Sequence, residues 1–118
     1  CRRPASAFVT RFLGDTNRIV AEVLDGRAKL AGGSIAAPGV PDGAAEIYSR
    51  PADLEWATAG GGIDAEVLRV IDRPDSRRVV IRLPSGENLE LDVEPDTVVS
   101  AGDRGFVRLL RASIFPLG

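Results

Sequence analysis

The stretch RRVVIRLPSGENLELDV, residues 77–93, decides the fold, because apolar and polar residues alternate on both sides of a Ser85-Gly86 turn. A period of two places alternate side chains on opposite faces of a strand. The stretch therefore predicts a β-hairpin with one buried face. The residues on that face are Val79, Ile81, Leu83, Leu89, Leu91 and Val93.

The same alternation continues outward from the hairpin in both directions. Asp25-Gly26 is a strong hairpin turn signal, and Ile63–Ile71 slips its alternation near Val67-Leu68, as strands do at a β-bulge. Further strands are predicted at Ile19–Val23, Arg27–Leu30, Ser34–Ala36, Ala44–Ser49 and around Val107 and Leu109. About seven short strands with frequent turns predict an all-β barrel or sandwich, and closure into a barrel is favoured because it removes unpaired edges. The predicted core is Val23, Ile47, Val79, Ile81, Leu83, Leu89, Leu91, Val93, Val107 and Leu109.

Helical patterning is confined to the beginning of the chain. Phe8, Val9, Phe12 and Leu13 have the spacing of one face of a helix, and Gly14 suits a helix C-terminus. The segment 51–56 fits either one helical turn or an extended edge, and 57–62 is predicted to be a flexible break dividing the chain.

The composition limits the function classes. The chain has 118 residues, 44% hydrophobic and 27% charged, and a net charge of -2. It is therefore one globular domain, and it lacks the positive electrostatic field that would attract nucleic acids or anionic membranes. It has no His and one cysteine, Cys1, so it lacks an internal disulfide, the usual transition-metal ligands and a Ser-His or Cys-His pair. We predict no catalytic, cofactor-binding or metal-binding residue, and no run of apolar residues is long enough for a membrane span.

Two patterns that resemble catalytic sites have plainer interpretations. The glycines 60–62 lack the strand, lysine and helix of a phosphate-binding loop. The pairs Asp64/Glu66 and Glu90/Asp92 lie on predicted solvent faces, where carboxylates are hydrated. Enzyme activity of this chain itself is therefore not expected.

A basic cluster accompanies the central hairpin. Arg77, Arg78 and Arg82 are either a strand face balanced by nearby carboxylates or a site for an oxyanion or a partner protein, since guanidinium groups bind oxyanions through paired hydrogen bonds. The carboxylates expected to balance them are Asp72, Asp75 and Glu87.

Four segments in order resemble a known family. They are FVTRFLGDTN (8–17), IYSRPADL (47–54), GIDAEVLRV (62–70) and AGDR (101–104) followed by VRL (107–109). Together they resemble the TOBE-type C-terminal domain of ABC importer ATPases. Asn17 after the FLG run and the tail 110–116 are most similar to the sulfate/thiosulfate importer subgroup. Ala52 departs from the acidic residue usual after Arg50-Pro51.

The resemblance implies an all-β fold, a small OB-like (TOBE) β-barrel with a short N-terminal helical remnant. Residues 1–15 are then the end of the linker or helix from an ATPase domain that this chain lacks, and 16–118 are the barrel. The implied function is regulation and dimerisation of the ATP-binding subunit of an ABC importer for sulfate, thiosulfate or a related anion.

The resemblance also implies partners and a location. The chain would contact its own ATPase domain, a second copy of the subunit and, through the parent protein, the transmembrane permease subunits. A regulator protein or an oxyanion is a further partner, and nucleic acid is not. ATP and Mg²⁺ would bind in the missing domain, and the assembly would lie on the cytoplasmic face of the membrane. Two alternatives stay open, a molybdate-type oxyanion-binding barrel and an OB-fold nucleic-acid-binding module.

Four residues are candidates for protein–protein contact. Phe8 and Phe12 are apolar residues expected at the junction between the ATPase domain and the barrel. Arg50 precedes Pro51, which ends a strand, and is expected at the contact with a second copy or a regulator. The plainer interpretation is that Arg50 forms a surface ion pair with Asp53.

Overall fold

A computed structural model describes residues 16–117 of the protein. These residues form strands and one 3₁₀ turn, η1, and they contain no α-helix. The strands are β1 (Asn17–Leu24), β2 (Arg27–Leu30), β3 (Gly33–Ala36), β4 (Gly43–Ser49), β5 (Leu54–Ala57), β6 (Ile63–Asp72), β7 (Arg77–Arg82), β8 (Asn88–Val93), β9 (Arg104–Leu109) and β10 (Ser113–Pro116), with η1 at Pro51–Asp53. Within residues 16–117, no helix is long and apolar enough to span a membrane.

The strands form two five-stranded antiparallel sheets. The first sheet has the order β10-β4-β1-β2-β3, and the second has the order β5-β9-β6-β7-β8. In the second sheet, η1 and β5 pack against β8, so the two edge strands of that sheet come together. This curling produces the small OB-like barrel, and the predicted fold class is confirmed. The predicted helical remnant lies outside the described residues.

The core lies on the inner faces of both sheets. β1 alternates buried and exposed residues along its whole length, as a period-two strand with one buried face should. Eight of the ten predicted core residues are fully buried, and Val93 and Leu109 are partly buried against the core. The largest fully buried side chains include Ile19, Ile47, Ile63, Ile81, Leu89 and Leu91.

The predicted β-bulge in β6 is present. The register between β6 and β7 shifts between Val67 and Arg69. At this point the Val67 backbone pairs on its other side with the segment before β9. Its N–H donates to the Asp103 carbonyl at 2.8 Å, and its carbonyl accepts from the Gly102 N–H at 2.8 Å. The bulge therefore lets β6 bond the turn that leads into β9.

The division of the chain differs from the prediction. The predicted break, 57–62, covers the last residue of β5 and the loop that joins β5 to β6, and because both strands belong to the second sheet, it does not divide the two sheets. Arg108 also holds this loop, because its Nε donates to the Gly61 carbonyl at 3.0 Å and its Nη2 to the Ala59 carbonyl at 2.8 Å. The chain instead crosses between the sheets at Arg50. Strand β4 ends just before this residue, and Pro51, which cannot donate to a strand ladder, begins η1.

Strand β10 is an addition to the predicted set. It returns to the first sheet and pairs with β4, with Ile114 opposite Ile47. The Leu117 N–H donates to the Ala44 carbonyl at 2.9 Å, which sets the phase of the ladder. In that phase the nitrogen of Pro116 faces away from β4, so the missing proline donor breaks no hydrogen bond.

Candidate interface where the chain crosses between the sheets

Two connections between the sheets run side by side. The first, at Ser49 and Arg50, leads from β4 to the second sheet, and the second, at residues 110–112, leads back from β9 to β10. Ser49 Oγ donates to the Arg111 carbonyl at 2.6 Å, and the Leu110 N–H donates to the Asp53 carbonyl at 2.8 Å. These bonds hold the two crossings together.

The conformation of the first crossing follows from its proline. Arg50 is extended, with φ -85° and ψ 155°, as the residue before a proline is expected to be. Pro51 is buried and occupies the first turn of η1, where its missing N–H has no partner to lose. The Asp53 N–H then donates to the Arg50 carbonyl at 2.9 Å. The Arg50 side chain is thereby placed at the surface beside the second crossing.

We name the cleft between the crossings the basic cleft. It has a volume of about 460 Å³, and two guanidinium groups and one carboxylate line it together with hydroxyl groups. Its polar and charged lining residues include Ser49, Arg50, Asp53, Arg111 and Ser113. The cleft thus combines positive charge with hydroxyl groups at an exposed surface.

We name the neighbouring cleft, between β5 and the end of β8, the acidic cleft. It has a volume of about 480 Å³, and no Lys or Arg is among its described lining residues. Its carboxylates are Glu55, Asp75, Asp92 and Glu94, and Trp56 lies among them. Leu110 lines both clefts and is 62% exposed. One exposed apolar residue therefore separates two clefts of opposite charge.

The structure tests the placement of only part of the predicted site. Phe8 and Phe12 lie outside the described residues. Arg50 and Asp53 lie together in the basic cleft, joined by the backbone hydrogen bond between them. A role of Arg50 in contact with a second copy or a regulator stays a prediction.

Reasoning from the sequence missed Leu110, Arg111 and the acidic cleft. Arg111 is separated from Arg50 by much of the chain, and only the return of β10 to the first sheet brings them together. The acidic cleft draws residues from η1, β5, β8 and three loops. The one signal in the sequence was Leu110, an apolar residue that directly follows β9.

The basic cluster of the hairpin is a set of cross-strand ion pairs. Arg77 Nε lies 2.7 Å from Asp72 Oδ1, and Arg82 Nη2 lies 3.8 Å from Glu66 Oε1. Arg78 is 5% exposed and binds two carboxylates, with its Nε 2.5 Å from Asp92 Oδ1 and its Nη1 2.7 Å from Glu90 Oε1. Carboxylates therefore balance this strand face, but only Asp72 was an expected partner, and the other three are Glu66, Glu90 and Asp92.

A polar network lies on the outer face of the first sheet. Arg18 and Tyr48 both donate to the Glu46 carboxylate, Arg18 through its Nε at 2.7 Å and Tyr48 through its hydroxyl at 2.9 Å. The Tyr48 ring meets Phe115 edge-on with centroids 5.7 Å apart. Burial, and then the hydrogen bond to Glu46, raise the pKa of Tyr48, and the same carboxylate raises the pKa of Arg18.

Two side chains, Asn17 of β1 and Glu87 in the turn before β8, bridge the two sheets. The Asn17 amide forms a pair of hydrogen bonds with the backbone of Glu90, donating from Nδ2 to the carbonyl at 2.7 Å and accepting at Oδ1 from the N–H at 2.8 Å. The Val20 N–H donates to Glu87 Oε2 at 2.9 Å. Asn17 thus pairs with the edge strand β8 as a neighbouring backbone would, and it fixes the first sheet against the barrel.

The fold defines the class of the protein, a small OB-like β-barrel domain. No family model matches the chain. The sulfate/thiosulfate import ATP-binding protein CysA 2 of Agrobacterium fabrum is 46% identical over 118 residues, which are 99% of this chain and 35% of that protein. The CysA protein of Bradyrhizobium diazoefficiens is 30% identical over 95% of this chain and 33% of that protein. That of Burkholderia mallei is 40% identical over 77% of this chain and 27% of that protein.

The similarity gives the family. The chain belongs to the family of the C-terminal domains of sulfate/thiosulfate import ATP-binding proteins, which are ABC importer subunits. It spans about a third of the length of the curated relatives it matches. The resemblance drawn from the four sequence segments is confirmed.

Proposed function

We propose that this chain is the regulatory and dimerisation domain of the ATP-binding subunit of an ABC importer for sulfate or thiosulfate. The observation that carries the proposal is the 46% identity across 99% of the chain to the C-terminal part of a protein named for sulfate/thiosulfate import. Among the three functions that the sequence left open, these relatives support the importer domain over the molybdate-type barrel and the nucleic-acid-binding module.

The domain acts through contacts rather than through chemistry. ATP and Mg²⁺ bind to the ATPase domain of the parent protein, which couples hydrolysis to import at the cytoplasmic face together with permease subunits. The barrel adds contact area between two ATP-binding subunits. A solute or regulator protein that binds one arrangement of the domains better than another shifts the ATPase cycle by its difference in affinity, about 1–3 kcal/mol in typical cases.

A chimera tests this function. The C-terminal part of the Agrobacterium protein is replaced by this chain, and sulfate-dependent growth, thiosulfate uptake and subunit association are measured in a strain that lacks the native protein. We expect the chimera to restore all three, because the replaced segment and this chain are homologous along their length.

Two controls accompany the chimera, the Agrobacterium protein without its C-terminal part and the same protein with an unrelated barrel fused there. A chimera that associates and transports no better than these controls contradicts the proposal. If the chimera restores transport but its subunits associate no more tightly than those of the two controls, the importer assignment is supported and the dimerisation role is contradicted.

A further inference from the structure

We propose that the surface around Leu110 is the contact between two copies of this chain, with the basic cleft of each copy facing the acidic cleft of the other across a twofold axis. This inference rests on the dimerisation role proposed above and deepens it by naming the contact surface.

The centre of the surface is an exposed apolar residue. Leu110 is 62% exposed although it is a large apolar residue, and the backbone bond from its N–H to the Asp53 carbonyl fixes its position. Protein–protein interfaces combine an apolar centre with a polar rim. Leu110 supplies the centre, and the two clefts that adjoin it supply the rim.

The distribution of charge fits a second copy. In a twofold interface the same surface patch is used by both partners, so a residue of one copy meets a different residue of the other, and each pair occurs twice. A patch of one sign would repel itself. A patch with two arginines and one carboxylate on one side of Leu110, and only carboxylates among the charged residues on the other, attracts itself when it is rotated about Leu110.

The charged groups available for this contact are Arg111, Asp75 and Glu94. All three are exposed, and among residues 16–117 none of them forms an ion pair. By contrast, Asp92 and Glu55 already bind Arg78 and Arg108. The specific attraction between copies therefore falls chiefly on Arg111 facing Glu94 and Asp75.

The same features argue against other occupants. A nucleic acid or an oxyanion would be attracted by the basic cleft and repelled by the acidic cleft beside it. Neither would use the exposed Leu110 side chain. The outer face of the first sheet is a weaker candidate, because its central charges, Arg18 and Glu46, already bond each other.

A charge-exchange experiment tests the pairing. Arg111→Glu and Glu94→Arg are made separately in the full chain, and dimer dissociation constants are measured by sedimentation equilibrium at low salt. Each variant alone places two like-charge pairs in its homodimer, so we expect its dissociation constant to rise tenfold or more. A mixture of the two variants has opposite charges in both pairs, so we expect it to form a heterodimer about as tightly as the unchanged chain.

The matched control is Arg104→Glu, an exposed arginine of β9 outside both clefts, which should leave association unchanged. If the unchanged chain dimerises and all variants dimerise equally, the contact lies elsewhere, and the proposal is wrong while the dimerisation role stands. If the single variants dimerise poorly and the mixture does too, the pairing across the axis is wrong.

A second measurement detects weak association. Leu110→Cys in a Cys1→Ser background should form a disulfide-linked dimer on mild oxidation, because a residue at a twofold axis meets its own copy within the short Cα distance that a disulfide needs. Val98→Cys is the control, since Val98 is 93% exposed and lies outside both clefts. Equal or faster cross-linking through Val98→Cys overturns the proposal. So does binding of sulfate to a monomeric chain that Arg111→Glu abolishes, because the basic cleft is then an oxyanion site.

Discussion

Replacing Asn17 by Ala should cost more stability than any other change of a single polar residue in β1. Asn17 is 7% exposed, and its amide supplies both partners of the Glu90 backbone at the edge of the barrel. The substitution removes two hydrogen bonds worth about 1 kcal/mol each, and it leaves a partly buried N–H and carbonyl without partners. We expect a loss of about 2 kcal/mol in the free energy of unfolding, or a fall of about 8 °C in the melting temperature for a domain of this size.

The assay is urea unfolding followed by circular dichroism and by the fluorescence of Trp56. The control is Asn88→Ala, since Asn88 is an exposed asparagine of β8 itself, and we expect its effect to stay within about 0.5 kcal/mol. Equal midpoints for the two variants would refute the reasoning, because the amide pair would then contribute nothing beyond an ordinary surface asparagine.

Asn17→Asp separates the two hydrogen bonds. One carboxylate oxygen still accepts from the Glu90 N–H, but the other faces the Glu90 carbonyl and repels it. The charged form is disfavoured in the folded state, so the pKa of this aspartate should lie above its unfolded value of about 3.9. The deficit in stability relative to Asn17 is therefore present above the raised pKa and shrinks as the pH falls through it. A deficit that is constant from pH 7 to pH 3 contradicts this account.

Three further predictions concern other parts of the molecule. Gly105→Ala should lower the free energy of unfolding by about 1–3 kcal/mol, because its Cβ would lie 2.7 Å from the Trp56 ring and from a backbone carbonyl. In thermal unfolding, this loss of stability should be smaller when Trp56→Leu is also present. A loss that stays the same contradicts the contact with the ring. Burial raises the pKa of Tyr48 above its ordinary value of 10.0, so stability should fall as the pH rises above 10.0 toward that raised pKa. Tyr48→Phe should flatten this fall in urea titrations, and an unchanged slope contradicts it. Arg108→Ala should speed hydrogen exchange of the amides in loop 57–62, because two carbonyl contacts are lost, whereas Arg104→Ala should not.

The barrel strands were predictable because each has one buried face. Ile81, Leu89 and Leu91 alternate with polar residues, and their complete burial follows from that pattern. The bulge at Val67 was predictable for the same reason, since a slip in alternation is a change of face. These are local properties of the chain, and the sequence displays them directly.

The point at which the chain passes from the first sheet to the second, and the existence of β10, were not predictable from local patterns. Strand β10 has four residues and ends in Pro116, a composition that disfavours strands unless the proline lies at an edge. Its place beside β4 depends on the path of the whole chain. Gly105 in β9 is the position that leaves room for the Trp56 ring. Both facts depend on contacts between residues far apart in sequence.

The candidate site was predictable only at Arg50 and Asp53, because Pro51 marks the end of a strand and places its neighbours at the surface. Arg111 and Leu110 join them through the return crossing, which no spacing in the sequence reveals. The acidic cleft is likewise assembled from four separate segments. For this reason, the periodicity of apolar residues in the sequence does not predict a site that forms where the chain crosses between sheets.

The position of β10 beside β4 also bears on how the domain forms. All of β5 to β9 lies between these two strands in sequence. During synthesis, the edge of β4 that pairs with β10 therefore has no partner strand until the second sheet has been synthesised. Pairing between such distant segments is slow, because the chain entropy of the long loop is lost before the contact forms. In the meantime the unpaired backbone of β4 can pair with another nascent chain. The first sheet therefore starts to form early but is completed last, and the edge of β4 is protected from pairing with other chains only when β10 has been added.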